Sequence, residues 1–102
     1  MKKYTVLYED LVDFDLKETK SYYQKINSEL TKRFFHEFRK AKNFISEFPY
    51  ANDVMYGENI RLHFLKTFPY HIHYIINEEK KEVVILAVIF AKKGNLDFSE
   101  RT

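Results

Sequence analysis

Two histidines separated by one residue, His71 and His73, have the side chains best suited to chemistry in this sequence. Imidazole changes protonation near neutral pH, so such a pair can supply both a base and an acid. Both lie in the alternating segment FPYHIHY. Because successive side chains of a strand point to opposite faces, the two histidines share one face, and Tyr70, Ile72 and Tyr74 share the other. One face of this strand can therefore carry chemistry or binding while the other builds the core.

The sequence around this pair predicts three successive antiparallel strands, at roughly 60–65, 70–77 and 82–90, with a polar turn at 77–81. We expect the apolar positions of the first two strands to face the core: Leu62, Phe64, Ile72, Tyr74 and Ile76. The opposite face would then carry the polar set: Arg61, His63, His71 and His73.

The first half of the chain predicts a strand at 4–8 followed by two helices. Asp15 and Glu18 have the spacing of a capping box, and Ser28 can cap the second helix. Apolar residues at 30, 34, 38, 41, 45 and 48 form one stripe, which Pro49 ends. A further short strand is possible at 54–56. The expected fold is α+β, a single domain over 1–102, with an N-terminal strand, a helical hairpin and a three-stranded antiparallel meander. The helices would cover one face of a four-stranded sheet.

Composition excludes several functional classes. Without cysteine, the chain has no disulfide, thiolate metal site or cysteine nucleophile. The net charge of +2 lacks the strong basic excess that is usual for a nucleic-acid-binding domain. No apolar run predicts a signal peptide or a membrane span. We therefore expect a soluble cytoplasmic protein with no cofactor and no membrane partner.

The chain resembles the RelE/ParE superfamily of toxins from bacterial type II toxin–antitoxin systems. The resemblance covers nearly the whole sequence and depends on five pieces: ISEFP at 45–49, Ile60-Arg61, FPYHIHY at 68–74, VVILAV at 83–88, and a basic pair followed by Arg101. The FPY-x-I-x-Y strand is the most specific of them. The element order predicted from periodicity is similar to the fold of this superfamily.

The resemblance implies one of two activities, and both imply neutralisation by a cognate antitoxin. RelE-like members cut messenger RNA on the ribosome with basic and sometimes histidine side chains. ParE-like members poison DNA gyrase by protein–protein contact and need no catalytic residues. A third possibility is a non-toxic interaction module of the same fold. Whether the protein is an enzyme is left open; if it is, a metal-independent RNA endonuclease is expected.

Residue by residue, the resemblance fits the nuclease only in part. Lys93 follows the last strand where RelE-like enzymes place a basic residue, and His71 lies where they carry an arginine. The positions of their lysines correspond to Leu62 and Phe64, and Lys92 and Lys93 replace the usual histidine-arginine pattern of the tail. These differences favour the ParE-like activity slightly.

The candidate site residues fall into three groups. If the protein is a nuclease, the candidate catalytic residues are His71, His73 and Lys93. Candidates for contact with a nucleic acid or another target are Arg61, His63, Lys92 and Arg101. Candidates for antitoxin contact are aromatic or apolar residues outside the core pattern: Phe35, Phe44, Leu96 and Phe98.

Two alternatives stay open for the histidines. By spacing alone, they are more typical of an ordinary solvated sheet face than of a catalytic site. If the hairpin turns about Phe68, His63 would lie opposite His73 with His71 nearby, and three imidazoles could bind zinc. With no carboxylate or cysteine placed to help, we expect no metal.

Overall fold

The computed structural model describes residues 3–91, and they form two helices and five strands. The elements in chain order are β1 (Thr5–Tyr8), α1 (Asp10–Ile26), α2 (Ser28–Glu47), β2 (Val54–Tyr56), β3 (Ile60–Phe64), β4 (Tyr70–Asn77) and β5 (Glu82–Phe90). This confirms the α+β class and the order of the predicted elements. Within the described residues, neither helix is long and apolar enough to cross a membrane.

The five strands form one mixed sheet in the order β1-β5-β4-β3-β2. The pairs β2–β3, β3–β4 and β4–β5 are antiparallel. β1 pairs parallel with β5 and forms the other edge of the sheet. The sheet therefore has one strand more than the four expected. The added strand is β2, joined to β3 by a turn in which Gly57 has a φ of +61°. Glycine adopts this left-handed conformation without strain.

Both helices pack against one face of the sheet, here called the helix side. The stripe of α2 advances by four, three and four residues through Phe34, Phe38, Ala41 and Ile45, and all four are buried. They form one core with Val12 and Tyr23 of α1 and with the helix-side residues of the sheet: Tyr70, Ile72, Tyr74, Val83, Ile85 and Val88. The predicted stripe is confirmed except at its end, where Phe48 is exposed.

Both predicted helix caps are wrong, although α2 begins at Ser28. α1 begins five residues before the proposed capping box, and its first turn carries Asp10 and Asp13, which favour the positive end of the helix dipole. The Asp15 carboxylate instead accepts a hydrogen bond from the backbone N–H of Val88 at 2.9 Å. In α2, the Asn27 side chain, rather than Ser28, accepts the N–H of Glu29 at 2.8 Å.

The predicted faces of β4 are confirmed, but those of β3 are wrong. Arg61 pairs with Tyr74 and His63 with Ile72, so Arg61 and His63 lie on the helix side. Leu62 and Phe64 pair with His73 and His71 on the opposite face, here called the open side. A shift of one residue moves every side chain of a strand to the other face, and the assignment of β3 was shifted in this way.

Candidate functional site

The open side of the central strands contains the histidine pair predicted from the sequence. His71 lies beside Phe64, with ring centroids 4.2 Å apart in an edge-to-face arrangement, and 6.2 Å from the ring of His73. Phe64 is 52% exposed, a high value for a phenylalanine. The structure thus brings His71, His73 and Phe64 together. We call these three residues, with Leu62, the histidine face.

His73 differs from its neighbour in accessibility. It is only 1% exposed, and its Nδ1 lies 2.8 Å from the hydroxyl of Tyr56 in β2. The two rings also meet edge to face with centroids 5.7 Å apart. Sequence reasoning missed Tyr56, although the short strand that carries it was expected. This contact holds the imidazole of His73 in place beneath the surface.

His71 is the accessible member of the pair. Partial burial lowers the pKa of His71 below its ordinary value, so the ring is neutral at neutral pH. A neutral imidazole can accept a proton or a hydrogen bond. Its surroundings supply little else for phosphate chemistry: the residues of β3 and β4 that share this face include no lysine or arginine.

Arg61 and His63, expected beside this pair, instead tie β3 to the segment after α2. The Arg61 guanidinium donates to the backbone carbonyl of Asn52 and lies 5.0 Å from the ring centre of Tyr50. The Asn52 amide donates to Nδ1 of His63 at 3.0 Å and to the hydroxyl of Tyr74 at 3.2 Å. These contacts are structural, and a role of Arg61 or His63 in target binding stays a prediction.

The register also contradicts the three-histidine zinc alternative. His63 is opposite Ile72 rather than His73, and its side chain lies across the sheet from the other two imidazoles. Within residues 3–91, no cluster of three histidine, aspartate or glutamate side chains is placed to hold a metal ion. Burial lowers the pKa of His63, and the positive charge of Lys66 acts in the same direction.

The remaining candidates divide between described and undescribed parts of the chain. Phe35 packs partly buried against the core, whereas Phe44 is 38% exposed and contacts Phe48 and the ring of His63. Five candidates lie outside the described residues: Lys92, Lys93, Leu96, Phe98 and Arg101. Their predicted roles stay predictions.

One surface feature was not predicted from the sequence. A groove of about 920 Å³ runs between α2 and the end of β3, and Phe44, Ala41 and Leu65 contribute to its lining. Its edges carry Lys32, Arg33, Arg39, Lys40 and Lys66, all exposed. The four cations of α2 stand at i, i+1, i+7 and i+8, a helical spacing that could have indicated one basic face. We call this feature the α2 groove.

Comparison with known proteins finds similar solved structures. No family model matches the sequence, and no curated protein matches it. Among solved structures, a chain of the chromosomal ParDE toxin–antitoxin system of P. aeruginosa superposes with a TM-score of 0.75. It is 12% identical, and the match covers 90% of this chain and 100% of that one.

Two RelE-type structures are also similar. A chain of the RelBE2 toxin–antitoxin complex of Mycobacterium tuberculosis gives a TM-score of 0.57 at 23% identity, covering 86% of this chain and 98% of that one. The isolated E. coli RelE toxin gives 0.56 at 20% identity, covering 96% and 94%.

The chain has the RelE/ParE fold. The likeness spans the helical hairpin and the sheet, and it confirms the fold that the sequence resemblance implies. At these sequence identities the likeness shows the fold alone. The histidine face and the α2 groove both lie on the surface of this fold.

Proposed function

We propose that this protein is the growth-inhibiting toxin of a type II toxin–antitoxin system and that a cognate antitoxin neutralises it. The RelE/ParE fold supports this proposal, since the similar structures come from a ParDE system, a RelBE2 complex and an isolated RelE toxin. The exposed Phe44 and Phe64 offer apolar surface for a protein partner.

Within this class, we propose the ParE-like activity, inhibition of DNA gyrase by protein contact. The observation that carries it is the composition of the histidine face. Leu62 and Phe64 occupy the positions that the resemblance assigns to the lysines of a nuclease, and both share a face with His71 and His73. A phosphorane intermediate needs nearby positive charge, which the open side of β3 and β4 does not supply, because Arg61 lies on the helix side. An exposed phenylalanine beside a half-buried imidazole is better suited to protein contact.

The RelE-like endonuclease is the second candidate, and His71 favours it. Its imidazole is partly exposed, neutral at neutral pH and 6.2 Å from a second imidazole, so it could accept the proton of a ribose 2′-hydroxyl. In that case the stabilising charge must come from outside β3 and β4, and Lys92, Lys93 and Arg101 would be the candidates.

Inducible expression of the chain without its neighbouring gene tests both activities. The ParE-like proposal expects arrested growth, gyrase-dependent DNA breaks and unchanged messenger RNA. The variant H71Q should retain this toxicity, whereas F64A should weaken it. The RelE-like alternative expects messenger RNA cut at the ribosomal A site, and H71Q should then abolish the cuts.

One control variant and one further outcome complete this test. Lys80→Gln, in the exposed turn between β4 and β5, should behave as wild type in both assays. Unimpaired growth with full expression of folded protein would rule out both toxic activities and leave an interaction module of the same fold.

A further inference from the structure

The α2 groove combines an apolar floor with positively charged edges. Phe44, Ala41 and Leu65 line it below, and Phe64 joins it to the histidine face. From Lys32 to Phe44 the helix rises about 18 Å, at about 1.5 Å per residue. The groove is therefore long enough to accommodate about three turns of a second helix.

The positive charge at its edges is largely uncompensated. Lys32 forms an exposed ion pair with Glu29 at 3.5 Å. Within residues 3–91, Arg33, Arg39, Lys40 and Lys66 have no ion pair. A cluster of exposed like charges is unfavourable by itself, and carboxylates or phosphates brought between them relieve the repulsion.

The acid within the groove has a structural task. The Glu37 carboxylate accepts the backbone N–H groups of Thr67 at 3.0 Å and Phe68 at 3.4 Å, which fixes the turn between β3 and β4. Partial burial acts to raise the pKa of Glu37, but hydrogen bonds from Thr67 and from neighbouring backbone groups outweigh it and hold the pKa below its ordinary value. Glu37 is therefore a permanent negative charge in the middle of the groove.

We propose that the α2 groove binds an amphipathic, acidic helical segment of the neutralising partner. This assignment depends on the proposed function, since it places the antitoxin on a defined surface. Apolar side chains of the segment would cover the exposed ring of Phe44. Carboxylates on one flank would meet Arg33, Arg39 and Lys40 of α2, and those on the other flank would meet Lys66.

Two observations favour a peptide over a nucleic acid. Glu37 stands four residues after Arg33 and three before Lys40, so it lies among the cations of α2. A phosphate backbone carries a charge at every nucleotide and would be repelled there, whereas a peptide can place a neutral side chain opposite Glu37. The ring of Phe44 already packs against Phe48 at 5.5 Å and His63 at 5.4 Å, which leaves less of its face for stacking on a base. An aliphatic side chain needs no such stacking geometry.

Charge reversal at the edge of the groove tests the proposal. The probe is the product of the open reading frame adjoining this gene, purified and titrated against the chain at low and high salt. We expect R39E/K40E to weaken binding by about 100-fold or more, about 1.4 kcal/mol for each tenfold loss. Wild-type affinity should fall with added salt, and the affinity of the variant should depend on salt far less.

The matched control is K20E/K25E, which reverses two exposed lysines on α1. It imposes the same change in net charge and should alter binding by less than threefold. The second variant, F44A, keeps every charge and should weaken binding about tenfold. Circular dichroism and thermal melting of each variant exclude unfolding as the cause.

The outcomes separate the two proposals. Tight binding of the probe that R39E/K40E leaves unchanged would overturn the groove assignment while the toxin proposal stands. If the probe does not bind the wild-type chain at all, the proposed antitoxin partner and the groove assignment are both rejected. A parallel titration with a 20-nucleotide single-stranded RNA tests nucleic acid as the alternative occupant of the groove. RNA binding that R39E/K40E removes, with partner binding intact, would assign the groove to nucleic acid instead.

Discussion

The two sides of the sheet use histidine and tyrosine in different ways. On the helix side, His63 and Tyr74 belong to one closed set of hydrogen bonds, in which Asn52 bridges the two side chains. On the open side, Tyr56 holds His73 below the surface while His71 stays accessible. His63 and His73 are thus held by polar partners from neighbouring segments, whereas His71, beside Phe64, stays available for contact.

The closed set on the helix side has a clear physical purpose. The segment after α2 must turn over the end of the core, and its backbone groups need hydrogen-bond partners. The Tyr74 hydroxyl donates to the carbonyl of Pro49 at 2.8 Å, and Arg61 occupies the carbonyl of Asn52. On the open side, no comparable segment within residues 3–91 covers Phe64 of β3, so its ring stays exposed. The exposed ring is available for contact with a partner.

The largest expected effect compares two isoleucines of β4. Ile72 is fully buried on the helix side, whereas Ile75 is half-buried on the open side. Ile72→Ala should lower the free energy of unfolding by about 2–5 kcal/mol, because it removes methyl groups from the core and leaves a cavity. Urea unfolding monitored by circular dichroism measures this loss.

Ile75→Ala is the matched control on the same strand. It should lower the free energy of unfolding clearly less than Ile72→Ala does, since part of the Ile75 side chain already contacts water. Equal losses at the two positions would mean that the open side is covered as completely as the helix side.

The sequence predicted the strands well because their signals are local. The boundaries of β4 and β5 agree with the structure, since alternation and flanking polar turns are properties of each segment alone. The faces of β3 could not be found in this way. Its apolar positions Ile60, Leu62 and Phe64 resemble a core face, yet the turn to β4 pairs Leu65 with Tyr70 and sends them to the open side. Register comes from the turn and from packing, which a single strand does not encode.

The candidate site was predictable to a similar extent. His71 and His73 lie on one face because their spacing requires it, whereas the burial of His73 involves Tyr56 from β2, two strands away in the sheet. The α2 groove needs the end of β3 as its second wall, so no pattern within α2 could predict its depth. The cation spacing on α2 could indicate a basic face and nothing more.

A smaller effect is expected from the hydroxyl that joins the closed set. Tyr74→Phe keeps the buried ring but leaves the Pro49 carbonyl and one Asn52 N–H without this partner. We expect a loss of about 1–3 kcal/mol, the usual cost of an unsatisfied buried polar group. Tyr22→Phe, at an exposed ring on α1, is the control and should be close to neutral. A neutral Tyr74→Phe would mean that water replaces the hydroxyl.

The two half-buried histidines should also make stability depend on pH. Burial lowers the pKa of both His63 and His71 in the folded state below the ordinary 6.5. As pH falls through about 6.5, the unfolded chain takes up protons first, so stability is complete above that pH and declines below it. The urea midpoint should be lower at about pH 5.5 than at about pH 7.5.

The same urea unfolding at two pH values also compares His63 on the helix side with His71 on the open side. Lys66 adds to the effect of burial at His63 and not at His71. H63Q should therefore reduce the difference between the two pH values more than H71Q does. The reverse order would indicate that the open side is the more enclosed of the two.

The smallest expected effect on stability is that of H71Q measured at neutral pH. The His71 ring contacts Phe64 at its edge, and burial disfavours its charged form, so a neutral glutamine loses little. We expect a change within about 0.5 kcal/mol, as for most substitutions away from the core. A larger loss would make His71 a structural residue like His63. If stability is unchanged, any effect of H71Q on growth inhibition can be assigned to contact or chemistry rather than to unfolding.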